Sequence, residues 1–290
     1  MDYTLNCNGR LLSLAEPQVM GILNATPDSF YAASRQQTEH DIAERTRQIV
    51  SEGGSIIDVG ACSTRPGSEA VSQAEEMARL RTALAIVRRE APEAVVSVDT
   101  FRPDVARMVV EEFGVDIIND VGGSVDGDCN SVAAHGIGAE SDSRLRMFRT
   151  VSSLGVSFVY MSRKSNMRDI LLDCAEVTDT LRSMGQKDII LDPGFGFGKT
   201  VEENYAVMNG LERMQMTGLP MLVGISRKSM INRLLGIQPE QALNGTTVLN
   251  TLALLKGASV LRVHDVREAV ECMRIVAAAT VSQHTMNYKR

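Results

Sequence analysis

The chain has 290 residues, enough to bury a large core, and its 44% of hydrophobic and 23% of charged residues are typical of a globular protein and exclude a disordered one. The formal net charge is -6 at pH 7, and the sequence contains no long block of Lys and Arg, which disfavours nucleic acid and anionic membranes as partners. An anionic substrate would therefore have to be held by local positive groups.

Cysteine usage and the N-terminal residues predict a cytoplasmic protein. The five cysteines are scattered without a CxxC pair, which argues against a disulfide framework and a zinc site and predicts reduced thiols. Residues 1–17 carry Asp2, Arg10 and Glu16 and lack the apolar core of a signal peptide. No apolar run reaches the length of a membrane span.

Short β-type runs alternate with longer stretches whose apolar residues recur at helical spacing. The predicted strands are 19–23, 55–59, 95–98, 117–118, 156–160, 189–191, 221–223 and 260–263. The predicted helices are 41–51, 72–90, 103–112, 144–153, 167–184, 201–213, 243–254 and 266–278. Eight alternating pairs favour a closed (β/α)8 TIM barrel, an α/β fold, over an open doubly wound sheet.

No linker rich in Pro or Ser divides the chain, so residues 1–290 are predicted to form a single domain. Residues 121–143 contain five glycines that break any periodicity, and this segment is predicted to be a long loop.

Polar side chains follow several of the predicted strands. Asp192 opens a glycine-rich turn after the sixth strand, and Asp99 and Asn119 end the third and fourth strands. Barrel enzymes keep their chemistry at these strand ends, so the three side chains are expected to converge. Two carboxylates and an amide suit a heterocycle with adjacent N–H donors, such as a pterin edge, and Lys228 could donate to a ring carbonyl. For Asp99 alone, capping of the next helix is an equal alternative.

Three further strand ends offer groups for an anion or a metal. The Asn24 carboxamide could coordinate Mg²⁺, although Asn-Ala-Thr-Pro-Asp also reads as an ordinary turn. Arg65 follows the second strand and could meet an anion, with a plain surface loop as the alternative. Arg262 and His264 lie beside the start of the last helix, where a pyrophosphate would fit, with an ordinary core histidine as the alternative for His264.

Gly198-Lys199-Thr200 does not belong to a P-loop, because Pro193 occupies the position of the first glycine in GxxxxGK. Nucleotide hydrolysis is rejected on that ground. Cys62 has no histidine near it in sequence and receives no role.

Taken in order, these motifs resemble those of dihydropteroate synthases, folate-pathway enzymes that join a dihydropterin to p-aminobenzoate. The resemblance covers residues 19–119 and 188–276. It rests on MGILNATPDSF at 20–30, IDVG at 57–60, STRPG at 63–67, SVDT at 97–100, ND at 119–120, LDPGFGFGK at 191–199, GISRKS at 224–229 and RVH at 262–264.

The resemblance implies condensation of (7,8-dihydropterin-6-yl)methyl diphosphate with p-aminobenzoate to give 7,8-dihydropteroate and pyrophosphate. It implies Mg²⁺ at Asn24 and a homodimer that packs through the late helices. The residues implied to bind the pterin diphosphate are Thr64, Asp99, Asn119, Met161, Asp192, Lys228, Arg262, Val263 and His264. Those implied on the p-aminobenzoate side, where sulfonamides would compete, are Ser63, Arg65, Pro66, Phe197 and Ser229. The expected catalytic residues are Asp99, Asp192, Lys228, Arg262 and His264.

The chain departs from the family pattern in the middle. Ser162 follows Met161 where the family has a histidine, and the usual aspartate after Phe30 is missing. These departures keep two alternatives open: a paralogue that binds pterin without turnover, and a methyltransferase barrel that passes a folate methyl group to a corrinoid. The methyltransferase has no use for a diphosphate clamp or for the 63–67 loop.

Overall fold

A computed structural model describes residues 3–25, 32–62, 71–122 and 137–287. Two short strands, β1 (Thr4–Cys7) and β2 (Arg10–Ser13), come first and pair with each other. The remaining strands are β3 (Gln18–Asn24), β4 (Ile56–Gly60), β5 (Val95–Asp99), β6 (Ile117–Asp120), β7 (Ser157–Met161), β8 (Ile189–Asp192), β9 (Leu222–Val223) and β10 (Val260–Val263).

Strands β3 to β10 form one parallel sheet in the order β8-β7-β6-β5-β4-β3-β10-β9. The sheet curls until β8 meets the chain just before β9, through a bridge between Leu191 and Met221. The backbone N–H of Leu191 also donates to the Pro220 carbonyl at 2.9 Å. The predicted (β/α)8 TIM barrel is confirmed; the single domain over residues 1–290 stays a prediction.

The helices are α1 (Ala32–Ser51), α2 (Gln73–Glu90), α3 (Pro103–Phe113), α4 (Ile137–Leu154), α5 (Met167–Ser183), α6 (Val201–Asn209), α7 (Ser229–Leu235), α8 (Leu243–Leu255) and α9 (Val266–Asn287). Four of them correct the sequence prediction: α7 was not expected, α4 begins at Ile137, inside the segment predicted to be a loop, α1 begins nine residues before the predicted 41, and α9 ends nine residues after the predicted 278. The predicted helix 201–213 ends early at Asn209, and a 3₁₀ helix, Leu211–Thr217, follows it.

The β1–β2 hairpin was also not predicted. Its two-residue turn, Asn8-Gly9, has φ angles of 50° and 82°, as a type I′ turn requires. Leu5 and Cys7 are fully buried and pack on the apolar residues that fill the amino end of the barrel. These barrel residues are Met20, Ile56, Ile117, Val159, Ile190, Leu222 and Val260. The hairpin therefore closes this end, and the mouth lies at the carboxyl ends of the strands.

Successive side chains along each strand point to opposite faces, so near the carboxyl ends apolar residues face the helices and polar residues face the barrel interior. In β4, Ile57 and Val59 pack in the main core among the helices, whereas Asp58 points into the barrel. Ser97 and Asn119 point inward from β5 and β6 in the same way and reach Asp58. The barrel interior near the carboxyl ends of the strands is thus lined by polar groups.

Among the described residues no helix is long and apolar enough to cross a membrane. Cys7, Cys174 and Cys272 are free, buried thiols, as predicted. Cys62 is disulfide-bonded, so the expectation of a reduced thiol was wrong for this residue.

Candidate active site

Arg262 is the centre of a buried charge cluster in the barrel mouth. It extends from β10, and its Nε donates to Asp58 Oδ2 at 2.6 Å while its Nη2 donates to Asp99 Oδ2 at 2.8 Å. Asp58 is fully buried and also accepts hydrogen bonds from Ser97 Oγ at 2.6 Å and Asn119 Nδ2 at 3.2 Å. The Arg262 guanidinium therefore links β10 to β4 and β5, and Asp58 links β6 to the same cluster.

Asp58 is a site residue that sequence reasoning missed, since no role was assigned to it. The signal was present: a carboxylate stands in the middle of the strand Ile56–Gly60, which is otherwise apolar and buried throughout. A charge at such a position costs several kcal/mol unless it is paired, so it predicts a partner inside the barrel.

Asn119 and Asp192 present acceptor oxygens to the mouth. Asn119 Oδ1 is buried and has no hydrogen-bond partner in the described part of the chain, while its Nδ2 donates to Asp58. Asp192 Oδ1 accepts the Gly194 N–H at 2.7 Å. An unpaired buried amide oxygen costs about 1–3 kcal/mol, which a ligand N–H would recover.

Lys228 supplies the donor expected beside these acceptors. Its Nζ donates to the Phe195 carbonyl and lies 4.5 Å from the centre of the Phe197 ring, in cation–π geometry. Asp192, Asp99 and Arg262 all act on its charge, which places Lys228 in the same cluster.

Burial dominates the electrostatics of this cluster. It raises the pKa of Asp99 to about 7, against the opposing charge of Arg262, and it raises the pKa of Asp192, against Lys228. Burial also lowers the pKa of Lys228 to about 8, against Asp192. Groups with pKa values shifted in this way in a cleft are typical of a functional site.

His264 follows β10 and is held by Ser226 from the neighbouring loop. The Ser226 Oγ lies 3.0 Å from His264 Nδ1, and the His264 backbone N–H donates to the same oxygen at 3.2 Å. Burial and the Arg262 charge lower the pKa of His264 to about 4, so the ring is neutral near pH 7. Val263 points away into the main core, so its backbone is the part that faces the mouth.

The glycine-rich turn after β8 lies against the end of β7. Gly194 has φ of 72°, and a Cβ there would stand 2.1 Å from the Ser162 carbonyl oxygen, so only glycine fits. The Lys199 Nζ donates to the Gly194 carbonyl at 2.8 Å. This lysine stabilises the turn and forms no part of a P-loop, in agreement with the sequence analysis.

The departure after β7 is accommodated within the fold. Ser162 Oγ donates to Asp173 Oδ2 at 2.6 Å, and the Tyr160 hydroxyl donates to the same oxygen at 3.0 Å. The Ser162 N–H donates to the Asp192 carbonyl at 2.8 Å, which ties β7 to β8. Met161 is fully buried at the strand end. Ser162, in place of the family's histidine, therefore keeps the end of β7 and Met161 in position.

Asn24 ends β3 and fits a magnesium ligand. Its side chain makes no hydrogen bond to another described residue, and its Oδ1 lies 4.0 Å from where a Cβ of Gly60 would stand, with Asp99 Oδ2 at 3.9 Å from the same point. No group of three or more His, Cys, Asp or Glu side chains in the described ranges could hold a metal. A hard cation here would take Asn24 and complete its shell with water and phosphate oxygens, as Mg²⁺ does.

The p-aminobenzoate side is described only in part. Ser63, Arg65 and Pro66, together with Thr64 of the diphosphate set, lie outside the described residues. Phe197 is half-buried under Lys228, and the exposed Ser229 begins α7 directly after that lysine.

Comparison with known proteins agrees with this geometry. Residues 20–264 match the family described as pterin binding enzyme, and the chain belongs to that family. It is 34% identical over 289 residues to the dihydropteroate synthase of Escherichia coli K12, with 98% of this chain and 99% of the relative covered. A Xanthomonas albilineans dihydropteroate synthase structure with 4-aminobenzoic acid has a TM-score of 0.81 at 31% identity, covering 97% of this chain and 99% of that one. For a Coxiella burnetii dihydropteroate synthase in complex with pteroic acid, the TM-score is 0.77 at 30% identity, with 96% and 98% covered. These relatives place the chain among the dihydropteroate synthases of folate biosynthesis.

Proposed function

We propose that the barrel mouth condenses (7,8-dihydropterin-6-yl)methyl diphosphate with p-aminobenzoate, releasing pyrophosphate. The observation that carries the proposal is the set of Asp99, Asn119, Asp192 and Lys228 at the strand ends, in which the buried Asn119 oxygen lacks a partner in the described chain. The 4-aminobenzoic acid and pteroic acid held by the two related structures support p-aminobenzoate as a substrate and a pteroate as the product here.

In this proposal the acceptor oxygens hold the N–H edge of the pterin and Lys228 donates to its ring carbonyl. Arg262 is fixed by Asp58 and Asp99 through Nε and Nη2, while its Nη1 makes no hydrogen bond within the described residues. Nη1 and the His264 ring are therefore the donors offered to the diphosphate. A guanidinium held in advance by two carboxylates needs little reorganisation when charge develops on the leaving group.

The reaction breaks the C–O bond at the pterin methylene, and its electron pair leaves with the diphosphate oxygen. Cationic character grows at the methylene carbon, and the amine nitrogen of p-aminobenzoate attacks it and then loses a proton. Arg262 and His264 stabilise the charge that grows on the diphosphate. Mg²⁺ at Asn24 would neutralise further charge on that leaving group.

The direct test measures dihydropteroate formed by the purified protein from the two substrates with Mg²⁺. We expect product with the native chain and with Lys256→Ala, a lysine that pairs with Glu212 on the surface, and none with Lys228→Ala. Pteroic acid binding without any product would instead support the paralogue that binds pterin without turnover.

The magnesium role predicts a selective effect at Asn24. We expect Asn24→Ala to raise the KM for the pterin diphosphate roughly 10- to 100-fold, the cost of one bond to a charged group, while the Kd of pteroic acid stays unchanged. Steady-state kinetics at several Mg²⁺ concentrations and calorimetry measure the two effects. Asn209→Ala, at the exposed end of α6, is the control. An equal loss of pteroic acid affinity would argue against a metal ligand.

The Lys228 pKa predicts how pterin affinity changes in alkaline solution. The ring carbonyl accepts a bond from the protonated amine, whose pKa in the free protein is about 8. Affinity should therefore fall as pH rises through about 8, by up to roughly tenfold per pH unit. Titrations with pteroic acid between pH 7 and 10 measure this fall. Lys228→Arg stays charged, so its affinity for pteroic acid should not fall in this pH range. An unchanged fall would show that a group on the ligand titrates instead.

We also propose a homodimer formed through the late helices. Val248, Leu252 and Leu255 are exposed on one face of α8, and Leu234 and Leu235 are exposed on α7, which packs beside it. Light scattering should report a dimer that Leu252→Asp dissociates. Leu172→Asp, on the exposed face of α5, should leave the dimer intact.

The expected cytoplasmic location and the competition of sulfonamides with p-aminobenzoate stay predictions. Competition would appear as an increased KM for p-aminobenzoate at an unchanged maximal rate.

A further inference from the structure

The buried Ser226 hydroxyl makes both of its described hydrogen bonds with His264. The backbone N–H of His264 can only donate, so Ser226 Oγ accepts at that 3.2 Å contact. The second contact is to the ring Nδ1 at 3.0 Å, and in the described part of the chain the hydroxyl proton has no other acceptor. Donation to Nδ1 gives this proton an acceptor, and it requires Nδ1 to be the unprotonated nitrogen of the ring.

We propose that Ser226 is a positioning residue that fixes neutral His264 as the tautomer with its proton on Nε2. The ring then turns an N–H donor, and not a lone pair, toward the diphosphate. The proposal rests on the proposed function for the identity of the anion, while the tautomer itself can be measured in the free protein.

The charges around His264 favour this solution. Burial lowers the pKa of the imidazole most, and the positive charges of Arg262, Arg227 and Arg45 lower it further against the opposing carboxylate of Asp265, so the ring stays neutral. A neutral ring divides between two tautomers unless a neighbour selects one. The form protonated on Nδ1 would direct the Nε2 lone pair at an anion and repel it.

The loop that carries Ser226 is fixed to the loop that carries His264. Arg227 donates from Nε and Nη2 to the two carboxylate oxygens of Asp265 at 2.9 and 2.6 Å. The backbone of Arg227 is left-handed, with φ of 56°, and its N–H donates to Thr246 Oγ1 at 3.1 Å. Such a conformation in a residue other than glycine persists only where its surroundings determine it. The Ser226–His264 spacing is thus set by the fold.

Nitrogen NMR of protein labelled with ¹⁵N-histidine tests the tautomer directly. The chain has four histidines, and His264→Gln identifies the signals of His264 by their loss. We expect Nδ1 at the shift of an unprotonated ring nitrogen and Nε2 at that of a protonated one. Ser226→Ala should give averaged shifts of two tautomers, and Ser226→Thr should restore the native pattern. A proton on Nδ1 in the native chain, or an unchanged pattern in Ser226→Ala, would overturn the proposal.

Titration with inorganic pyrophosphate and Mg²⁺ tests the consequence. Loss of one oriented donor should weaken binding roughly 5- to 10-fold in Ser226→Ala and by less than about twofold in Ser226→Thr. Ser183→Ala, a serine exposed at the end of α5, should bind as the native chain does. Equal affinity in Ser226→Ala and the native chain would remove the role in anion binding. Failure to form dihydropteroate, with the NMR pattern and pyrophosphate affinity as expected, would overturn the proposed reaction alone.

Discussion

Asp192→Asn should lower kcat/KM for the pterin diphosphate by roughly 100- to 1,000-fold, because it replaces a buried charged acceptor by an amide. Asp192 is only 4% exposed, and its Oδ1 is already bonded to the Gly194 N–H. The asparagine oxygen would keep that bond and so turn its NH₂ toward the N–H edge of the pterin, donor against donor. Lys228 would also lose its principal counter-charge.

Asp188 provides the control. It lies just before β8, at the closed end of the barrel, where its Oδ2 accepts the Asn6 N–H at 3.1 Å. Asp188→Asn makes the same chemical change at the far end of β8 and should leave kcat/KM within about twofold, since residues at that end serve stability. Comparable losses in the two variants would show that Asp192 acts through the fold and not through the pterin.

Asp58→Ala should lower the free energy of unfolding by about 3–5 kcal/mol, the usual cost of removing one partner from a buried ion pair. The substitution leaves Arg262 Nε, Ser97 Oγ and Asn119 Nδ2 without the oxygen that each of them contacts. Urea denaturation at pH 7 measures the change, and activity should fall as well because Arg262 loses one of its two anchors.

Glu112→Ala is the matched control for Asp58→Ala. It also removes the carboxylate partner of an arginine, since Arg81 Nε and Nη2 donate to Glu112 at 2.8 and 2.7 Å. That pair is exposed to solvent, so little stability should be lost. If both substitutions lowered the free energy of unfolding by the same small amount, water would have to enter the barrel and solvate Arg262.

Much of the fold was predictable from periodicity. The strand predicted at 260–263 is β10, Val260–Val263, and the others agree to within two residues at each end. The alternation of strand and helix patterns is visible in the sequence because each barrel strand buries one face against helices. The β1–β2 hairpin was missed even though Asn8-Gly9 is a strong hairpin signal, because its strands are only four residues long.

The sequence predicted which strand ends carry the site residues, but not the hydrogen bonds between those residues. The sequence indicates that Asp99, Asn119 and Arg262 follow different strands, yet not which of them pair. Arg262 bonds to Asp58, 204 positions away in the sequence. The parallel registers of β10 on β3 and of β3 on β4 put Arg262 level with Ile56, two residues before Asp58, and the long arginine side chain spans the difference. Register is a property of the closed barrel, so local sequence cannot supply it.

Within the described residues, the β1–β2 hairpin closes the amino end of the barrel. Leu5 and Cys7 fill that end, so a ligand approaches the Asn119 oxygen from the carboxyl ends of the strands, the side where Phe197 and Ser229 lie. If the pterin binds beside Asn119 and p-aminobenzoate beside Phe197, as proposed, the two substrates share this approach. We therefore expect ordered binding, with the pterin diphosphate first, as a consequence of a ten-residue hairpin at the opposite end of the barrel.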